Sequence, residues 1–423
     1  MTTFAIFGSL VLLMLLRVPI AVALGLSSVL GLWLSDISLE IVAQRMFSTN
    51  NSFPLLAIPF FILAGEIMSM GGMSRRLVGF ASALVGHLTG GLGAVAILSS
   101  SFFAALSGSN AATVAAIGGV MNKPMAEKGY PPSYTAATIA AAGVTGMIIP
   151  PSILLILYGV VTGVSIADLF LAGIVPGVLI CVSLLVLNRV LTGRMGIEKV
   201  PAAGRAQIWQ SFREAFWPLL MPVIILSGIY GGVFTPTEAA IVAVFYGLLV
   251  SLFYRELTVR SLMTAFWRAV VASAVVMFVM NAAGVFAFLI TINQIPQSIS
   301  ATLAQWAGGP VVYLLFVNLF LLVVGCMMNA AAAIVIFTAI LYPAAMTFGI
   351  DPVLFGIIVS VNLSIGTVTP PLGVDLFIAS AITKVSIERI VVVIWPYILM
   401  LIADLLIITY VPALSLSLVR LFG

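Results

Sequence analysis

Four short stretches hold most of the polar chemistry within the apolar part of this chain. Two are clusters of small and polar residues: Ser107, Gly108, Ser109 and Asn110 in S-G-S-N-A-A-T, and Gly325 to Asn329 in G-C-M-M-N, with Met328 beside the asparagine. The other two are double-proline breaks. Gly143 to Ser152 contains Thr145, Gly146, Pro150 and Pro151, and Ser364 to Pro371 contains Gly366, Thr367, Thr369 and Pro370. Adjacent prolines remove two backbone donors and disfavour helix at the residue before each, and the glycines loosen it further. The hydroxyls, amides and carbonyls freed at such places are oxygen ligands of the kind a hard cation such as Na+ takes. Helix N-termini at the same places carry partial positive charge and suit an anion. Ser109, Asn110, Asn329 and Thr369 are therefore candidate substrate contacts as well. An acid inside a membrane is a functional candidate by default, and Asp375, four residues after Pro371, is the best placed. Glu66 and Asp404 lie nearer segment ends and suit a structural role as well as a functional one. Glu238, in F-T-P-T-E-A-A, reads as a helix cap, and His87 as an interfacial side chain. Single small residues also serve close helix packing, but a polar tip paired with a break, occurring twice, points to binding.

The elements that position these groups follow from hydropathy. The chain is 62% hydrophobic and 7% charged, with a mean hydropathy of +1.27, so it is an all-α integral membrane protein. Broken backbone at membrane depth is tolerated only where protein buries it or a watery cavity meets it. The apolar segments form one series twice, before and after a polar linker at 193–213. Gly146 and Pro150 recur 220 residues on as Gly366 and Pro370, and Pro19, Gly65, Asn110, Pro124 and Pro176 have counterparts in Pro236, Gly284, Asn329, Pro343 and Pro396.

Loop charge gives the repeat its sense. Lys123 and Lys128 face a counterpart at 342–351 with no basic residue, Arg75 and Arg76 an uncharged one at 291–296, while the loop 162–168, with no Lys or Arg, answers to Lys384 and Arg389. Basic loops stay cytoplasmic, so 1–192 and 214–423 read as inverted repeats. Arg17, Arg194, Lys199, Arg205, Arg213, Arg255, Arg260 and Arg268 fall inside, and Arg45 and Arg420 outside. That threading makes 92–121 and 309–341 re-entrant hairpins and 133–162 and 353–382 broken helices. It leaves ten spans, with both termini periplasmic and 41–52 and 294–309 interfacial.

Other classes fit less well. Met1 to Leu16 has no basic region or small-residue cleavage site, so no cleaved signal peptide is expected. The isoelectric point near 9.2 reflects loops at a membrane surface, since no basic patch interleaved with aromatics suggests nucleic acid. Cys181 and Cys326 sit in apolar runs as packing residues. No nucleophile–base or metal constellation favours a membrane enzyme. A stand-alone elevator-type Na+/anion symporter or ion exchanger remains as an alternative.

Seven motifs carry a resemblance that spans essentially the whole chain. They are L-A-I-P-F-F-I-L-A-G-E-I-M, L-V-G-H-L-T-G-G-L-G, S-G-S-N-A-A-T, G-M-I-I-P-P-S-I, L-F-L-A-G-I-V-P-G, F-T-P-T-E-A-A and S-I-G-T-V-T-P-P-L-G. Together they resemble the large membrane subunit of TRAP (tripartite ATP-independent periplasmic) transporters. The resemblance implies a Na+-driven, elevator-type importer of organic anions (C4-dicarboxylates, keto acids or sialic acids) in the bacterial inner membrane. Its partners would be a small four-helix membrane subunit and a periplasmic substrate-binding protein. The resemblance implies one Na+ site at Ser107, Gly108, Ser109 and Asn110 with Thr145, Gly146 and Pro150. A second would lie at Gly325, Met328 and Asn329 with Gly366, Thr367, Thr369, Pro370 and Asp375. At this second site many relatives have G-x-x-x-D where this chain has Gly325 to Asn329, and often Asn near position 375. Either the site is weakened here, or its carboxylate has moved to Asp375, set against the second tip by the repeat.

Overall fold

The computed structural model describes residues 2–16, 18–193, 195–196 and 201–422. Arg17, Arg194 and Lys199, assigned above to the cytoplasmic side, lie outside the described residues. Among the described residues the chain is helical, with no strand. The first half contains α1 (Thr2–Leu15), α2 (Ile20–Leu34), α3 (Glu40–Asn50), α4 (Ala57–Met70), α5 (Met73–Val85), α6 (Gly91–Ser107), α7 (Asn110–Glu127), α8 (Pro132–Gly143), α9 (Ile153–Thr162) and α10 (Ile166–Thr192). The second contains α11 (Arg205–Tyr230), α12 (Pro236–Phe253), α13 (Val259–Ile292), α14 (Ile295–Ala307), α15 (Pro310–Met327), α16 (Ala330–Thr347), α17 (Pro352–Gly366), α18 (Val374–Thr383), α19 (Ile387–Tyr410) and α20 (Ala413–Phe422).

Local chemistry sets these ends. Proline occupies a first helical position in α8, α12, α15 and α17, where its missing N–H costs nothing. Thr235 and Glu238 form a reciprocal capping box at the start of α12, so Glu238 is a cap. Asp351 does similar work for α17, its Oδ1 accepting from the amides of Val353 and Leu354. α6 and α7 form the first hairpin and α15 and α16 the second. α8 ends at Gly143 and continues through a single 3-10 turn, Val144–Met147, before α9; α17 and α18 flank the second break. Among the described residues, eight helices are long and apolar enough to cross a membrane, both arms of the second hairpin included. α10 turns Val178, Val182, Val186 and Val190 outward at four-residue spacing, an apolar stripe suited to lipid.

Two elements run longer than hydropathy suggests. α13 begins at Val259 rather than near 269, because Thr258 and Ser261 cap it and no proline or glycine interrupts the next turns. Arg260 and Arg268 therefore ride on a helix, not in a loop. Similarly, α11 starts at Arg205 and absorbs the end of the polar linker.

Packing between the halves is reciprocal. α2 packs on α13 and α12 on α4, while α9 packs on α16 and α18 on α7. The outcome is two groups of elements. The wall contains α2, α4, α12 and α13. The core holds both hairpins and both broken helices; Tyr158 of the first broken helix donates from its hydroxyl to the Pro352 carbonyl of the second at 2.7 Å, and the Thr138–Tyr397 hydroxyl pair at 2.8 Å ties α8 to α19.

Candidate functional site

Each hairpin tip rests on the break of its own half through backbone. The Gly108 carbonyl accepts from the Ile153 amide at 3.2 Å, and the Cys326 carbonyl accepts from the Leu372 amide at 3.3 Å. Gly108 turns the first tip at φ +63°, which glycine adopts at little cost. A side chain at Gly146 would meet the Ser109 carbonyl, and one at Gly366 would meet the Gly325 backbone. Both Pro150-Pro151 and Pro370-Pro371 peptide bonds are cis. Since any Cβ at Gly366 comes within 3.0 Å of Gly325 backbone atoms that cannot rotate away, Gly366→Ala is expected to destabilise the purified protein by about 1–3 kcal/mol. Gly119→Ala, with open space around it, is the control. Equal thermal unfolding of the two variants would refute the tight contact.

The first tip is internally bonded. Ser107 Oγ and Thr113 Oγ1 lie 3.0 Å apart, Thr113 Oγ1 donates to the Ser109 carbonyl at 2.9 Å, and Ser109 caps α7. Thr145 Oγ1 donates to the Ala142 carbonyl at 2.8 Å, within its own helix. At the second tip Asn329 caps α16, its Oδ1 accepting from the Ala331 amide at 2.9 Å, while Thr369 Oγ1 donates to the Ile365 carbonyl at 2.8 Å. Met328 is buried in extended backbone, and Pro370 is half-buried.

The decisive contacts cross between halves. Asn110 of the first hairpin donates from Nδ2 to Thr367 Oγ1 of the second break at 2.8 Å. Thr367 Oγ1 in turn lies 2.7 Å from Asp375 Oδ2. The hydrogen-bonded neighbours of Asp375 are Thr367 and, through it, Asn110, while Asn329 of the second tip lines the same cavity as Asp375. The reason is the exchange of half-helices, which lays α18 along α7. Asn110 thus joins residues assigned above to the other site. Asp375 is 1% exposed and Asn110 fully buried, yet Asp375 Oδ1, Asn110 Oδ1 and Ser364 Oγ have no hydrogen-bond partner. A buried carboxyl oxygen and a buried amide oxygen left unpaired are costly as they stand, and they are oxygen donors of the kind a hard cation would complete. No cluster of three or more His, Cys, Asp or Glu side chains occurs among the described residues.

A cavity of about 290 Å³ opens beside this cluster. The first turns of four helices line it: α7 with Ala111 and Ala112, α9 with Ile153 and Leu154, α16 with Ala330 and Ala331, and α18 with Val374 and Asp375. Four partial positive charges therefore face one space, with small side chains leaving room for a ligand. Ser107, Ser109, Asn329 and Thr367 also line it, and the wall closes it with Ile62, Glu66, Ala272 and Val276. Glu66 was the least predictable of these. Its signal was an acid inside an apolar run, equally compatible with a structural role. Asp404 instead lies away from the cavity, accepting from Ser183 Oγ between α19 and α10. Asn318, Asn362 and Thr409 form a second buried polar chain that sequence reasoning missed. Cys181 and Cys326 are free thiols. A larger groove of about 600 Å³ on the outer surface is lined by apolar side chains throughout, including Phe7, Phe316, Phe320 and Phe337.

Comparison with known proteins agrees with this architecture. The structure is similar to the Alcanivorax borkumensis YdaH transporter, with a TM-score of 0.62 over 88% of both chains at 19% identity, a likeness of fold. In sequence the chain is 38% identical to the C4-dicarboxylate TRAP transporter large permease protein DctM of Rhodobacter capsulatus over the full length of both. It is 43% identical to the isethionate TRAP transporter permease protein DctMQ of Oleidesulfovibrio alaskensis, over 97% of this chain and 65% of that one. The family model for the tripartite ATP-independent periplasmic transporter, DctM component, matches residues 7–414, and the chain belongs to that family of large transporter permeases.

Proposed function

We propose that this chain is the translocating subunit of a Na+-coupled importer of small organic anions in the bacterial inner membrane. It receives substrate from a periplasmic binding protein and works beside a small four-helix membrane subunit. The observation that carries the reading is the meeting, in one cavity, of four helix N-termini with a buried carboxylate that lacks a counter-charge. The N-termini suit an anion, and Asp375 with Asn110 and Thr367 suits the cation that enters with it. Relatives named for C4-dicarboxylate and isethionate support a small carboxylate or sulfonate as cargo. The test is uptake of labelled succinate and isethionate by proteoliposomes holding both membrane subunits, with the binding protein outside. An inward Na+ gradient should drive uptake of at least one probe. Uptake that persists when K+ replaces Na+ would overturn the coupling, and uptake without the binding protein would favour a stand-alone symporter.

The two halves act as inverted repeats, and the core moves as a block against the wall. Reciprocal packing of α9 with α16 and α18 with α7 binds hairpins to broken helices, which supports a rigid core. Cysteines placed at Ala283 on α13 and Ala339 on α16, which line one cavity from the two sides, test this in a background lacking Cys181 and Cys326. Joining them with a short bifunctional thiol reagent should stop transport, and reduction should restore it. Undiminished uptake with the link closed would rule out the movement.

A further inference from the structure

One stripe of α13 faces the core along the whole seam between wall and core. Ala272 and Val276 line the central cavity, and Met280, Gly284, Ala287 and Thr291 line a second cavity of about 520 Å³ further along. Steps of three or four residues keep them on one helix face. Each end of this seam carries one guanidinium, a helical turn outside its cavity. Arg268 precedes Ala272 by four residues, and its Nη1 lies 4.0 Å from Oε2 of Glu66, which itself lines the central cavity. Arg45, on α3, precedes Thr49 by four residues; Thr49 lines the second cavity, and the Arg45 guanidinium sits 3.9 Å over the Phe288 ring of α13. Neither cavity is lined by lysine or arginine among the described residues.

These two arginines differ from the other wall contact of their kind. Arg75 and Arg76 both close directly on Glu256, and Arg76 also stacks on Tyr254, so each already has a close partner. Arg268 is held loosely instead, its carboxylate partner 4.0 Å away, at the limit of a direct pair. Arg45 is exposed and has only an aromatic face beneath it. A loose, exposed guanidinium is free to offer its planar fork to an incoming carboxylate or sulfonate, which a single distant carboxylate oxygen does not saturate.

We propose that Arg45 and Arg268 are the anion-capturing residues of the two mouths of the seam. Arg45 takes the substrate's charged group on the outer side, and Arg268 takes it on the inner side as the substrate leaves, displacing Glu66. Arg268 sits on α13 of the wall and Arg45 on α3, which packs on α13, so both stay with the wall and the anion changes partners while the core carries it past them. This rests on the reading of the chain as an anion importer.

Proteoliposomes of the two membrane subunits, with binding protein outside and succinate as probe, give one constant for each side. External KM reads the outer mouth, and inhibition of uptake by succinate loaded inside reads the inner one. Losing one charge-assisted contact should cost about tenfold. Arg45→Gln is expected to raise external KM by about that factor and leave internal inhibition within about twofold; Arg268→Gln is expected to do the reverse. Lysine at either position should retain part of the effect. Glu66→Gln frees Arg268, so internal inhibition should set in at lower succinate. The proposal fails if either glutamine variant leaves its own side unchanged, or if it shifts both sides alike, as a structural brace would. It also fails if Glu66→Gln weakens the inner side as Arg268→Gln does. Wild-type vesicles that import neither succinate nor isethionate would instead remove the parent reading.

Discussion

Asp375→Asn is expected to raise the Na+ concentration for half-maximal uptake by about 10- to 100-fold, the largest effect of any single substitution in the core. A hydrogen-bonded or ion contact to a charged group contributes about 1.5–3 kcal/mol, which sets that range. A second readout carries the opposite sign. An aspartate at mid-membrane costs about 2.5–3.5 kcal/mol on insertion scales, a cost that asparagine lacks. In Na+-free detergent the variant should therefore unfold at a higher temperature than the wild type. Adding Na+ should stabilise the wild type, by about 2.7 kcal/mol at a hundredfold excess over its dissociation constant, and leave the variant unmoved. Thermal unfolding in sodium chloride against choline chloride decides it. An equal Na+-dependent rise in both proteins would remove Asp375 from the cation site.

Much of this arrangement was legible in residues alone, for identifiable reasons. Proline pairs at membrane depth leave few backbone options, so the breaks read at Gly143–Ser152 and Ser364–Pro371 lie within about three residues of the gaps between α8 and α9 and between α17 and α18. The hairpin tips followed from small polar residues in the middle of segments too long to bury them unpaired. What hydropathy could not supply was the partner of each half-helix. The sequence repeat aligns α9 with α18, but it does not say that α18 lies along α7 and α9 along α16. That exchange brings Asp375 to Thr367 and Asn110 beside the cavity it shares with Asn329. Helix starts were misjudged where polar residues cap and extend a helix, as at Thr258 and Arg205. Glu66 and Arg268 gained meaning only when α4 and α13 came together, since nothing in their spacing links positions so far apart.

The crossing contacts lead to a charge exchange as the second large effect. Asn110 and Asp375 share Thr367 Oγ1, the amide donating to it and the carboxylate within reach of its proton. Asn110→Asp alone sets two carboxylates around one hydroxyl in a buried space, and like charges there oppose each other. With Asp375→Asn added, the cluster again holds one acid and one amide, with the direction of its hydrogen bonds reversed. Each single variant should lose Na+-driven uptake severely, whereas the double variant should recover most of it. A coupling between the two positions of about 1–3 kcal/mol in Na+ affinity is expected, as for residues sharing one partner. Asn329→Asp in the Asp375→Asn background provides the contrast. The Asn329 side chain caps Ala331 and lies exposed at the cavity, outside the Thr367 cluster, so a charge there should restore little. If the Asn110–Asp375 exchange is no better than the additive loss of its single changes, the two residues do not share a cation. Rescue by Asn329→Asp instead would return the charged site to the second hairpin.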